Sequence, residues 1–336
     1  MSVAAVVLAV VAPTLQVPPP PIICSRVVSP SGSDRAAGSP NAPFRTISRV
    51  TAALRPGETG CIRAGVYFED VKMTVGGRPG APVTIRSYPA ERATIDGRLW
   101  IARGADHVVV SALNLDGAPS HGANPDRLPS PTVNASNVIF DGDDITSDHS
   151  GICFVLGSDT FGRAEHTAIR NSRIHDCGRL PPSNHDHGIY VEYADRADIE
   201  ADWIYSNADR GIQLYPDAQR TTIARNVIDG NGEGIIFSGD DGRSSSGNVV
   251  EHNLITNATV RADVESFYPV GTPPGTANVV RGNCIYGGRQ AVQQPSSGFS
   301  LEDDLFADPG YVDAARHDYR LRRGSPCAAL AVPPPP

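Results

Sequence analysis

Ile169-Arg-Asn-Ser-Arg-Ile174 and Ile199-Glu-Ala-Asp-Trp-Ile204 share a template that recurs in Ile223-Ala-Arg-Asn-Val-Ile228, Val250-Glu-His-Asn-Leu-Ile255 and Val280-Arg-Gly-Asn-Cys-Ile285. Each opens on an apolar residue, places a polar one three later and closes on an apolar one five later. Val110 to Leu115 and Phe140 to Ile145 are looser copies upstream. The copies begin at 110, 140, 169, 199, 223, 250 and 280, so the steps are 30, 29, 30, 24, 27 and 30 residues. A second strand class interleaves: Gly151-Ile-Cys-Phe154, Gly188-Ile-Tyr-Val191, Gly211-Ile-Gln-Leu214 and Gly234-Ile-Ile-Phe237. Short Ile- and Val-rich strands set off by Gly, Asn and Asp turns exclude a helical solenoid. The period is too short for propeller blades, and Leu does not dominate as leucine-rich repeats require. A single all-β parallel β-helix remains, its coils stacked about 4.8 Å apart. Nine or ten coils are expected. The polar template position then forms a ladder through Asp143, Ser172, Asp202, Asn226, Asn253 and Asn283, a structural device rather than a catalytic one.

A solenoid needs its ends covered. Phe44, Ile47, Val50 and Leu54 recur at helical spacing before Pro56-Gly57, so a capping helix is expected near 43–55. The helix domain is assigned to 24–330. Residues 1–23 read as a signal-like apolar run, Val3 to Ala12, followed by a Pro-rich spacer, and 331–336 as a Pro-rich tail that leaves room for a further domain. The chain has 336 residues, 40% hydrophobic and 20% charged, with formal charge −8. That balance excludes wholesale disorder and argues against nucleic acid and anionic membranes as partners. Six cysteines without a Cys-x-x-Cys pair fit a secreted, oxidised protein. The expected disulfides are Cys24–Cys61, Cys153–Cys177 and Cys284–Cys327. The Cys153–Cys177 pair spans 24 residues, about one coil. No membrane span is expected, and a monomer is.

The chain resembles the secreted right-handed parallel β-helix proteins related to polysaccharide lyases. The resemblance rests on Val28-Ser-Pro-Ser-Gly-Ser-Asp34, Pro43-Phe-Arg-Thr-Ile47, Arg63-Ala-Gly-Val-Tyr67 and Thr94-Ile-Asp-Gly97. Near the end it continues in Asp308-Pro-Gly-Tyr-Val312 and Leu321-Arg-Arg-Gly-Ser-Pro-Cys327. It covers most of the chain after the spacer and implies the right hand of the coil. These motifs speak for fold and are nearly silent on reaction.

In such a fold a polymer lies across outward columns of side chains. Alignment on the glycines puts His187, Arg210 and Glu233 in one column and Tyr190, Gln213 and Ile236 in the next. Glu192, Tyr215 and Ser238 make a third, with Asp217, Asp240 and Asp241 just beyond. The loop from Pro181 to Asp186, carrying His185, rises beside the first column, and Glu265 enters from the following coil. A base beside a fixed cation is what β-elimination from a uronic acid needs: neutralising the carboxylate acidifies the neighbouring C–H. His187, Tyr190, Arg210 and Glu233 are therefore the catalytic candidates, with His187 or Tyr190 as base and Arg210 as neutraliser. His185, Gln213, Tyr215 and Glu265 are the candidates for binding an acidic polysaccharide. No cofactor is required by the pattern. Calcium is the one candidate, held by oxygens such as Glu192, Asp217, Asp240 and Asp241.

Structural readings accompany these. Arg210 between His187 and Glu233 also makes a charge ladder, Asp240-Asp241-Gly242 also makes a turn, and outward aromatics also merely cover a sheet. The lysine base of several related lyases has no counterpart, because Lys72 is the single lysine. The alternative reaction is glycoside hydrolysis by a carboxylate pair. Asp240-Asp241 is present, but the Gly-His-Gly and Arg-x-Lys of β-helix polygalacturonases are not, nor is the Trp-x-Asp-His of pectate lyases. A non-catalytic glycan-binding or structural β-helix is the third reading.

Overall fold

The computed structural model describes residues 22–295 and 297–336; the signal-like run and most of the spacer lie outside them. Among these residues the chain winds into a right-handed parallel β-helix built on three long sheets. The first has eleven strands and runs through Val108–Ser111, Ile139–Asp141, Ala168–Arg170, Asp198–Glu200, Thr222–Ala224 and Val249–Glu251. A second holds His187–Asp195, Arg210–Gln219, Glu233–Asp240 and Ala262–Phe267 side by side, and a third holds Arg173–His175, Trp203–Tyr205, Val227–Asp229 and Leu254–Thr256. Nine strands stack along the third sheet. That is about eight turns from first to last, where nine or ten coils were expected.

Each repeat template straddles a corner. Its first apolar residue ends up in the first sheet, its last in the third, and the residue before the ladder position turns the chain. Asn171, Ala201, Arg225 and His252 all hold positive φ there, from 53° to 58°. Side chains other than glycine tolerate this because the next residue locks the turn. Asn226 Oδ1 accepts from the Asp202 N–H (2.8 Å), Asn253 Oδ1 from Asn226 and Asn283 Oδ1 from Asn253. The expected ladder is therefore present, from Asp143 to Asn283, and ends on Asp304. Two shorter ladders, Asn207–Asn231 and Asn248–Asn278, were not legible in the template.

Inside, Ile189, Ile212 and Ile235 stack in register, as do Ile169, Ile199 and Ile223. All six are fully buried, each contributing about 1.5–3 kcal/mol of burial. The glycines before the first triplet allow that closeness. A Cβ on Gly188 would sit 2.8 Å from the Gly211 carbonyl oxygen and 2.8 Å from Asn207 Nδ2. The N-terminal helix, Ile47–Ala53, is shorter than expected but buries Ile47 and Val50 as predicted, with Phe44 and Leu54 beside them. All three disulfides pair as expected.

The last part of the domain leaves the coil. Tyr311–Asp313 and Asp318–Leu321 form an antiparallel pair whose Tyr311 and Tyr319 pack with Trp203, Val227 and Leu254, outside the third sheet. The Pro-rich tail follows the same face: Val332 is buried, and Arg173 donates to the carbonyls of Pro335 and Pro336. No helix among the described residues is long and apolar enough to cross a membrane.

Candidate functional site

The second sheet carries the site because its strands there are the longest in the molecule. Register places His187, Arg210 and Glu233 in one column and Tyr190, Gln213, Ile236 and Glu265 in the next. Both expected columns form. The third does not: the pairing shifts between Val191 and Tyr193, so Tyr193 meets Asp217 and the Glu192–Tyr215–Ser238 alignment is broken by a bulge.

Arg210 is almost wholly buried. Its Nε donates to Glu233 Oε2 at 2.8 Å, its Nη1 to the Asn184 carbonyl at 3.0 Å and its Nη2 to Asn184 Oδ1 at 2.5 Å. Asn184 sits in the loop that rises beside the column, and Asp209 fixes that loop by accepting from the N–H groups of Asn184, His185 and Asp186. Sequence reading missed Asn184 and Asp209, because a loop residue anchored by backbone amides carries no periodic signal. Burial pushes the Glu233 carboxyl up to about 8, against the pull of Arg210 and with a hydrogen-bonded Glu265 adding to the rise. Arg261 Nη1 reaches Glu265 Oε1 at 3.5 Å. Burial thus favours the protonated form of Glu233, which weakens its hold on the charge of Arg210. Arg261 was also missed.

His187 is driven the other way. Burial, then the charge of Arg210, holds its imidazole well below the ordinary range, so it is neutral. Its Nδ1 has no hydrogen-bond partner within the protein. Tyr190 meets His187 edge to face at 5.5 Å and stacks on Tyr215 at 6.3 Å. Burial raises the Tyr190 phenol far above its ordinary value. A phenol so placed stays protonated, so of the two candidate bases only His187 has the right state.

The face is a continuous groove. One cleft is lined by Asn184, Arg210, Glu233 and Arg261. A second shares Asn184 and Arg210 and adds His185, His187, Tyr190, Gln213, Tyr215 and Asp240. A third shares Tyr190, Tyr215 and Asp240 and adds Asp159 and Glu192. Burial, then the neighbouring Asp159, raises Glu192 to about 7.

The four calcium candidates do not converge. Asp217 is in an ion pair with Arg163 and accepts from Gln219 Nε2. Asp240 accepts from the Tyr215 hydroxyl at 3.0 Å and from the Asp241 N–H, and Asp240-Asp241-Gly242 forms the tip of the hairpin joining Asp240 to Arg243. Among the described residues no three Asp, Glu, His or Cys side chains are placed to hold a metal together. The turn reading holds, and no step is routed through calcium.

An outward polar groove over the sheet with the longest strands, on a right-handed parallel β-helix, is what defines the class. Residues 132–289 match the family described as "Right handed beta helix region". Over 70 residues the chain is 39% identical to uncharacterized protein YwoF of Bacillus subtilis, covering 21% of this chain and 15% of that protein. Over 72 residues it is 38% identical to pectate lyase PEL9 of Emericella nidulans, covering 21% and 18%. The matches thus span less than a fifth of either relative. Among solved structures, pectate lyase Pel9A superposes with a TM-score of 0.63 at 15% identity over 91% of both chains. A rhamnogalacturonan lyase gives 0.57 at 13% identity over 92% of this chain and 94% of its own. At such identities the likeness is one of fold.

Proposed function

We propose that this is a secreted carbohydrate-active protein that cleaves an acidic polysaccharide by β-elimination in the groove over the second sheet. The carrying observation is an imidazole held neutral by burial one strand away from a buried guanidinium, with both residues lining the same cleft. A uronate carboxylate entering beside Arg210 is neutralised there, which acidifies the adjacent C–H. His187 takes that proton, the electron pair becomes the new C=C bond, and the glycosidic C–O bond breaks. The departing oxygen receives the proton of Tyr190, the residue whose phenol the site keeps protonated. Gln213, Tyr215 and His185 line the path of the sugar chain. Export is supported by the three disulfides, which persist in oxidising compartments.

The hydrolytic reading draws on one observation, a Glu192 carboxyl near 7 that suits a general acid. The Glu233–Glu265 pair does not serve it: both are almost wholly buried, Glu233 against Arg210 and Glu265 beside Arg261. One assay separates the readings. Elimination produces an unsaturated uronate seen as rising ultraviolet absorbance, whereas hydrolysis releases reducing ends without it. The absorbance is expected with wild type and lost by about 10²–10³-fold in Arg210→Ala and His187→Ala. Turnover unchanged in both variants would put the chemistry elsewhere.

A further inference from the structure

The outward column of Tyr190 continues toward the N-terminus through Val155, Thr132 and Trp100 to Lys72. The single lysine, remote in sequence, thus lies on the same face as the groove. At about 4.8 Å per strand, Trp100 is about 14 Å and Lys72 about 19 Å from Tyr190. Lys72 Nζ lies 4.2 Å from the Trp100 ring centre and the Arg98 guanidinium 4.9 Å from it. Trp100 is held in place by its indole N–H, which donates to Asn134 Oδ1 at 2.8 Å. Among the described residues neither Lys72 nor Arg98 is in an ion pair. Asp70, in the same cleft, accepts from the backbone N–H groups of Arg98 and Asn124. Lys72, Arg98, Trp100 and Asp70 line a cleft that also takes in Asp126.

Two cations gathered on one aromatic, with Asp70 close enough to be felt by Arg98 but neither within ion-pair distance of a carboxylate, are unusual in a chain of formal charge −8. Arg98 also donates to the Pro129 carbonyl at 3.4 Å and to Thr132 Oγ1 at 3.5 Å, whereas the Lys72 ammonium has no hydrogen bond among the described residues. The cleft is joined to the groove by the turn at 158–162: Asp159 lines the groove, and Phe161, exposed, meets Trp100 edge to face at 5.5 Å.

We infer that Lys72, Arg98 and Trp100 form a distal subsite that binds a carboxylated sugar of the same chain whose reacting unit sits at His187 and Arg210. The inference rests on the polyuronate reading given above and adds a chain-length requirement to it. A short oligouronide filling the groove around Tyr190 leaves the subsite empty, whereas a longer one reaches it. The subsite supplies affinity for the polymer and takes no part in bond cleavage, so its loss appears in KM and not in kcat.

The experiment uses the full chain with Trp203→Phe as background, so that Trp100 is the only indole. Oligogalacturonides and alginate oligomers of graded length are titrated while Trp100 fluorescence and calorimetric affinity are followed. Long chains are expected to change Trp100 emission and short ones to leave it unaltered. Lys72→Ala and Arg98→Ala should each weaken long-chain affinity by about tenfold, with short-chain affinity unchanged. The subsite is overturned if wild type binds long chains and both variants bind them equally well, or if short-chain affinity falls as far as long-chain affinity. If wild type binds no uronate oligomer of any length, the polyuronate reading fails and the subsite with it. If Trp203→Phe does not fold, the affinity comparison in the otherwise unchanged chain decides alone.

Discussion

Arg210 is both the most interesting cation in the groove and the most thoroughly buried, and its value to chemistry depends on the protonation of Glu233. Were Glu233 a plain carboxylate, the pair would be neutral and a uronate would gain little from it. Burial, resisted by Arg210 and helped by Glu265, keeps a proton on Glu233 until about pH 8. Below that pH the guanidinium is available to a substrate carboxylate; above it, Glu233 ionises and competes for the same charge. His187 sets the other limit. Its depressed basicity keeps it neutral well into acid, where an ordinary imidazole would already be protonated and unable to act as a base. kcat/KM is therefore expected to hold up through mildly acidic pH and to decline as pH rises past about 8. Glu233→Gln should remove the alkaline decline while leaving the acid limb in place. A decline of equal steepness in Glu233→Gln would show that another group titrates there. Arg210→Ala carries a second effect besides lost activity. It leaves the buried Glu233 carboxyl and the Asn184 oxygens without their donor, so the variant is expected to be less stable as well, by about 1–3 kcal/mol.

Among the elements, the corner ladder shows how one template position serves two residue types. Asn226 Nδ2 donates to the Ile199 carbonyl and Asn253 Nδ2 to the Ile223 carbonyl, each while its Oδ1 accepts from the previous coil. Asp202 sits at the equivalent place one coil earlier. Its Oδ1 accepts from the Ser172 N–H at 2.7 Å, but its Oδ2 is buried with no partner. Burial raises this carboxyl well above its ordinary value, with the Ser172 N–H opposing. A neutral carboxyl mimics the amide, and an ionised one leaves a charge inside the turn. Asp202→Asn supplies the missing donor permanently, toward the carbonyl that the repeat places at Ile169. Its Tm is expected to exceed wild type by several degrees, roughly 4 °C per kcal/mol gained or less in a chain of this length, with the gain larger at pH 8 than at pH 5. A gain that does not depend on pH would mean that Asp202 is not titrating in the folded state. Much of this was legible beforehand, because a ladder repeats and repetition is what sequence displays. The spacing gave the coil, the ladder, both apolar columns and the Cys153–Cys177 disulfide; the other two pairings were expected without an argument from the repeat. The register of the glycine-led strands placed His187, Arg210, Glu233, Tyr190, Gln213 and Glu265 correctly. What stayed hidden does not repeat: the bulge that breaks the third column, the Asn184 loop pinned by Asp209, Arg261 beside Glu265, and the C-terminal hairpin that packs outside the coil.

Over the whole molecule, burial of acids sets how the fold responds to pH. Asp143 and Asp263 are raised to about 7 by burial, Glu192 to about 7, Glu233 to about 8, and Asp202 well above the usual range. A carboxyl whose folded value is raised binds more protons in the folded state than in the unfolded chain. Its stabilisation is complete below the ordinary carboxylate range and is lost as pH rises through the folded value. His175 acts in the same direction. Burial opposes its charge, but hydrogen bonds with Asp144 and Asp176 outweigh that and raise it to about 9, so its contribution is full below 6.5 and fades as pH passes 9. His187 is the opposing group: its folded value is depressed, and it withdraws stability as pH falls below 6.5 toward that value. With Asp96, Asp116, Asp198 and Asp229 also raised by burial, nine acids and His175 favour the acid side; His187 and the five acids whose values are lowered, Asp34, Glu91, Asp144, Asp176 and Asp318, favour the alkaline side. The β-helix is expected to be most stable near pH 4–5, where the lowered acids are already ionised and the raised ones still hold their protons, with Tm falling by roughly 5 °C or more by pH 9. Calorimetry with the disulfides intact measures this directly, and unfolding of the reduced chain separates any loss of the cross-links at high pH from the titration itself. A Tm that is flat or rises from pH 6 to pH 9 would mean that these carboxyls are charged in the folded state, and the protonated Glu233 on which the groove chemistry rests would fall with them.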